Sequence, residues 1–249
     1  ITLDDASNAF GGTVTFATDS GSAVTIVDTT ALDLKALTAA SLSATSGGAV
    51  TDSGTLAIAG ATTISASGQD ITLDQGASTF GTLSLTGVNV AVTDAGATDL
   101  GASTVSGTLG ITSAGAVTDS GTLAVTGATT ISASGQDITL DQAASTFGTL
   151  ALTGANVAVT ENAATDLGAS TVSGTFAITS GGAITDSGTQ AITGDATFTN
   201  TAGTDDAITL DDASNAFGGT VTFTTDSGSA VTIVDLSLIH ISEPTRPTP

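Results

Sequence analysis

"ITLDQGASTFG", Ile71–Gly81, returns as "ITLDQAASTFG" at Ile138–Gly148, and as "ITLDDASNAFGG" at Ile1–Gly12 and Ile208–Gly219. A spacing of roughly 70 residues exceeds the 20–50 of common solenoid repeats, so each unit calls for division into smaller steps. Strand-like runs that leave on an acidic residue supply the division. The exits fall at Asp4, Asp28, Asp52, Asp74, Asp94, Asp119, Asp141, Glu161, Asp186, Asp211 and Asp235. Their mean step is about 23 residues, within the 20–45 typical of stacked repeats.

One step has the physics of a short strand set. "VNVAVT" (Val88–Thr93), "GTVTF" (Gly12–Phe16) and "GTLALTG" (Gly148–Gly154) alternate apolar with small or polar positions. Alternation sends one set of side chains inward and Thr, Ser and Asn outward. Gly, Asp, Asn and Ser between the runs permit tight corners. Such a turn cannot bury its inward face alone, but copies stacked about 4.8 Å apart share a continuous aliphatic core. The pattern predicts an all-β chain: a parallel β-helix (β-solenoid) of about ten coils of about 23 residues, grouped in threes, with three sheets and a length of roughly 48 Å. Proline is absent from residues 1–235, as suits a fold in which nearly every N–H is donated to a neighbouring coil. A string of small β-sandwiches fits less well, because immunoglobulin-like domains need about 100 residues and a large core aromatic.

Composition narrows the function. The 249 residues carry a formal net charge of -22, with two Lys or Arg, one His and no Cys, Met, Trp or Tyr. That charge opposes nucleic acid and anionic membrane surfaces, whose phosphates it repels. No apolar run approaches the roughly 20 residues of a membrane helix, so no membrane insertion is expected. Neither a signal peptide nor an initiator Met begins the sequence, which leads to the expectation of a fragment. No Walker or dinucleotide loop is present, and Ser–His pairing lacks a credible imidazole. Catalysis would rest on carboxylates alone. The tandem pairs Asp4–Asp5, Asp205–Asp206 and Asp211–Asp212 point to opposite faces of a strand, a poor acid/base couple. Lys35 reads as a solvated surface residue on an acidic rod. Phe10, Phe80, Phe147 and Phe217, each before Gly, read as a core aromatic at a wide corner. The Thr-x-Thr runs do not hold the same outward pair on every step, as an ice-binding face would require.

The stretch "DITLDQAASTFGTLALTGANVAVTENAATDLGASTVSGTFAITSGGAITDSG", Asp137–Gly188, resembles the repeat arrays of filamentous-haemagglutinin-like adhesins. The resemblance spans residues 1–235 and implies a right-handed β-helix, secretion by a two-partner route and an extracellular or bacterial cell-surface location. It implies a non-catalytic shaft fragment of a large adhesin, with a host or neighbouring-cell receptor or glycan as partner, and coils stacking on the remainder of the chain. Two alternatives stay open: the stalk of a contact-dependent toxin-delivery exoprotein, and a β-helical polysaccharide-active enzyme.

The final stretch departs from all this. Residues 208–235 match residues 1–28 except at Thr224, which is Ala17 in the first copy. Where the first copy continues "TTALDLKALTAA" (Thr29–Ala40), the last reads "LSLIHISEPTR". Those eleven residues resemble a translated transposase sequencing adapter, so residues 236–249 are expected to be a non-native, disordered tail. The tail holds all three prolines, His240 and Arg246, so His loses its only candidate for base, nucleophile-activating or ligand roles.

No catalytic or cofactor-binding residue is expected. The one constellation that could bind something is the acid series. If successive exits stack about 5 Å apart, Asp28, Asp52, Asp94, Asp119, Asp186 and Asp235 would form a stripe able to collect Ca²⁺, a hard cation that takes carboxylate oxygens. Against this, Asp also closes turns by accepting a bond from the backbone two residues on, and the Ca²⁺ nonapeptide of β-rolls is absent. "ITLD" and "AVTD" also differ by one residue in which position faces inward.

Overall fold

In the computed structural model, residues 1–201, 206–225 and 228–236 are described, and they form a β-solenoid with no helix. Parallel strands stack in two sheets of fifteen strands each, along which consecutive turns lie side by side. Every strand pairing is parallel, and the main path of each sheet runs through twelve strands, giving about eleven turns. By the usual strand spacing the stack is roughly 50 Å long. No described helix is long and apolar enough to cross a membrane. From Ser237 onward the expected tail lies outside the described residues.

Alternation makes the strands. In Ala23–Asp28 the side chains of Val24, Ile26 and Asp28 are buried and those between them are not. Val90–Asp94 and Val157–Glu161 repeat the pattern. Stacked inward positions form ladders through the core, for example Leu109 on Val90 and Thr129 on Leu109. The Phe expectation holds: Phe80, Phe147 and Phe217 are buried, and Phe10 packs partly buried against the core. Phe198 adds a cluster near the last turns, edge-on to Phe176 and Phe217 and stacked on Phe223. Lys35 is exposed, as expected.

The dimensions differ from the sequence expectation in two respects. There are two sheets rather than three, because the third side of each turn carries only short strands that branch from the main path, such as Ser103–Val105 and Leu123–Val125. The step is also shorter. Paired residues on neighbouring turns differ by 17 (Thr82 and Asp99) to 25 (Ala196 and Val221) positions, about 20 on average, so eleven turns fit where 23-residue steps allow ten. The acid exits overestimate the step because the sequence repeat is not a whole number of turns. The "ITL" strand lies in the second sheet at Ile71–Leu73, in the first at Ile138–Leu140, and in the second again at Ile208–Leu210. Each repeat therefore spans three and a half turns, and equivalent features alternate between opposite sides of the solenoid.

Two devices set the corners. Gly68 and Gly135 take positive φ (78° and 74°) in the turns closed by Gln69 N to Ala66 O and Gln136 N to Ala133 O, both 2.9 Å. A positive φ at the third position is the type II turn, where glycine carries no Cβ penalty. Close approach sets the other: a Cβ on Gly121 would sit 2.1 Å from the Ala102 nitrogen of the turn below.

Candidate functional site

The half-turn offset rearranges the acid series. Asp28 and Asp119 end strands of the first sheet, whereas Asp52 and Asp94 end strands of the second. Asp186 ends a second-sheet strand, and Asp235 follows another. The expected single stripe is therefore absent: consecutive exits often sit on opposite sides of the molecule rather than one strand spacing apart. Neither do the acids face water together. Asp28, Asp52, Asp94 and Asp119 are buried, and Asp186 and Asp235 are half-buried. The ambiguity between "ITLD" and "AVTD" resolves cleanly. In "VTD" the acid itself takes the inward place, so Asp52 is paired with Leu34 and Asp119 with Leu100 on the turn below. In "ITLD" the Leu is inward and Asp74 and Asp141 are exposed.

What the buried acids do is hold the loop that follows "ITL". They form two sets, one turn below it and one turn above. From below, Asp52 Oδ1 accepts the Asp74 N–H (2.9 Å) and Asp119 Oδ1 accepts the Asp141 N–H (2.7 Å). Asp186 accepts the Asp211 N–H (2.9 Å) and the Asn215 side-chain amide (2.6 Å). From above, the loop's Phe N–H is donated to Asp28 from Phe10 (3.2 Å), to Glu161 from Phe147 (3.1 Å) and to Asp235 from Phe217 (3.1 Å). Asp94 accepts the Phe80 N–H in the same way. Each complete loop is thus clamped between two carboxylates. The loop also reaches outward through its own polar residue: Ser78, Ser145 and Asn215 accept the N–H of Leu56 (3.0 Å), Leu123 (3.0 Å) and Gln190 (2.7 Å).

The electrostatics follow from burial. Desolvation raises the pKa of Asp52, Asp94 and Asp119, and backbone N–H donors offset part of the rise. Asp94 also receives the Gly96 N–H (2.8 Å) and the Thr98 hydroxyl (3.2 Å). Glu161 stands at the corresponding place one repeat later with fewer partners. Its longer side chain spends one oxygen on Phe147, and the other has no hydrogen bond. The Thr165 hydroxyl beside it favours the carboxylate without reaching hydrogen-bonding geometry. Burial therefore pushes Glu161 up to about 7.

Outside the core, the remaining acids are structural on the surface. Asp99 accepts hydroxyls from Thr82 on the turn below and Ser120 on the turn above, each at 2.8 Å. Asp166 does the same between Thr149 and Ser187. Among the described residues no group of three or more His, Cys, Asp or Glu could hold a metal ion. Asp4 and Asp5 are exposed, and Asp205 lies outside the described residues. A shallow, open depression of about 310 Å³ beside Thr171, Ile192 and Ala216 is lined by no charged side chain.

This architecture repeats with the period of a known sequence family. Three consecutive copies of a family described as "Repeats of unknown function (DUF5649)" match residues 21–86, 87–153 and 154–224. The chain belongs to that family. No curated protein and no solved structure matches it. In the three DUF5649 copies, the boundaries near 86–87 and 153–154 coincide with the ends of Thr79–Gly87 and Thr149–Gly154, just before the strands that carry Asp94 and Glu161. Sequence reading of these DUF5649 repeats found the acids but missed their pairing around one loop. The signal was present: Asp52 and Asp94 flank Asp74 by about one turn on either side, as Asp119 and Glu161 flank Asp141.

Proposed function

We propose that residues 1–235 are a passive, non-catalytic shaft segment of a large secreted or surface-displayed bacterial adhesin, located outside the cell. One observation carries this reading. The buried carboxylates, the largest chemical resource of the chain, are consumed in holding the solenoid's own loops. A molecule built this way extends and presents; it offers Thr, Ser and Asn side chains outward and any contact with a receptor or glycan would run through them. The resemblance to filamentous-haemagglutinin-like repeats supports the same role.

The test separates reach from recognition. In the exoprotein that carries these repeats, residues 21–224 would be replaced by an unrelated rigid rod of equal length, and adhesion of the producing bacterium to target cells measured. A shaft predicts that adhesion is retained with the replacement and lost when the block is deleted without one. Saturable binding of isolated residues 1–235 to target cells, abolished by altering outward Thr positions, would overturn the passive reading.

A further inference from the structure

The solenoid contains the same coil twice, once covered and once open. Residues 208–235 repeat residues 1–28 at all but one position, and the two fold alike. Leu3 pairs with Ile26 as Leu210 pairs with Ile233. Asp28 caps Phe10 as Asp235 caps Phe217. Thr29 N donates to Asn8 O (2.8 Å) as Leu236 N donates to Asn215 O (2.7 Å). The difference lies on the upper face. Val24 and Ile26 are 1% and 0% exposed, whereas their counterparts Val231 and Ile233 are 42% and 38% exposed. The cover on the first copy is residues 29–46, with Leu42 paired on Val24, Ala44 on Ile26 and Leu34 on Val14.

We propose that the face formed by Val221–Thr224 and Val231–Ile233 is a docking face for one further parallel coil with the chemistry of Thr29–Ser46. That coil would lay a Leu-x-Leu strand over Val221–Thr224 and a Leu-x-Ala strand over Val231–Ile233, in the register seen on the first copy. Two requirements define the ligand. It must be extended, because the face offers the N–H and C=O groups of a parallel sheet edge, and it must present aliphatic side chains at alternate positions. This deepens the shaft reading, since a rod that extends needs a face that accepts its next turn. Its failure would leave adhesion by reach untouched.

The experiment adds a fluorescent 18-residue peptide of the sequence of residues 29–46 to the full chain and follows anisotropy and amide hydrogen exchange. A second version appends the same peptide to the full chain through a flexible linker, which raises its effective concentration to about millimolar. We expect saturable binding and at least tenfold slower exchange at residues 231–233. A peptide carrying Leu34→Asp and Leu42→Asp should do neither, and Ile233→Asp in the chain should abolish the effect. No protection from the free or the tethered peptide, or equal protection from a scrambled one, would overturn the proposal. So would a dimer of the chain that persists in excess peptide, which would give the face to a second copy instead.

Discussion

At the scale of single residues, the inward ladders tolerate polar groups at a measurable cost. Glu161 is the clearest case. Its carboxyl is held near pKa 7 by burial, whereas in the unfolded chain it titrates near 4.5. Between those values the folded state binds the proton and the unfolded state releases it, so stability falls as pH rises from about 4.5 to about 7 and stays low above. The full difference is on the order of 3 kcal/mol. Glu161→Gln should raise the melting temperature at pH 8, leave it unchanged near pH 4, and flatten the profile between them. A profile that keeps its slope in the variant would move the effect to the other buried acids. Thr62 and Thr129 show a milder conflict. Both are fully buried with hydroxyls that meet no partner, and the third repeat has Ala196 at that place. Thr62→Val keeps the shape and removes the unpaired hydroxyl, so chemical denaturation should show a gain of about 1 kcal/mol. The alternation of these strands was legible in the sequence. The charge state of Glu161 was not, because it depends on which N–H groups the neighbouring turns bring within reach.

At the scale of the element, the loop after each "ITL" strand is the unit that neighbouring turns cooperate to hold. Asp119→Ala removes the acceptor of the Asp141 N–H at 2.7 Å and of the Gln142 N–H at 3.4 Å. The loss should be about 2 kcal/mol, since two backbone donors lose their partner while one buried charge is relieved. Faster amide exchange at Asp141, with Asp74 unaffected, would locate the damage in one clamp. Tight stacking gives a second expectation for the same corners. Gly121→Ala would push a methyl to 2.1 Å from backbone on the turn below, whereas Gly76→Ala meets nothing within 4 Å. The first should cost about 3 kcal/mol or more and the second should be near neutral; Ala143 already fills the place of Gly76 in the next copy. Comparable melting temperatures for the two variants would contradict this stacking. The acids and glycines were all visible in the sequence as turn residues. Their partners were not, because a half-turn offset decides which loop an acid meets, and that offset appears only when strand pairing is known.

At the scale of the whole molecule, fold class was readable from period and alternation, while the turn length was not. The acid exits count sequence repeats, and three of them span three and a half turns; only the register between strands exposes the extra half. The same offset governs how the chain responds to cations. A net charge of -22 on a rod of this size makes outward carboxylates such as Asp99 and Asp166 repel one another, and dissolved salt screens that repulsion over about 10 Å at 0.1 M. Stability should therefore rise with ionic strength. Specific Ca²⁺ capture requires more: several carboxylate oxygens converging on one point. Asp28, Asp52, Asp94 and Asp119 instead lie buried in two sheets, each with its oxygens turned to backbone N–H groups or hydroxyls. Millimolar Ca²⁺ and NaCl of equal ionic strength should thus raise the melting temperature by the same amount. A ligand that bound only the folded state at a hundred times its Kd would add about 2.7 kcal/mol beyond screening. A Ca²⁺ shift several degrees larger than the NaCl shift, removed by chelator, would show that the acids of neighbouring turns rearrange around the ion and release the loops they clamp.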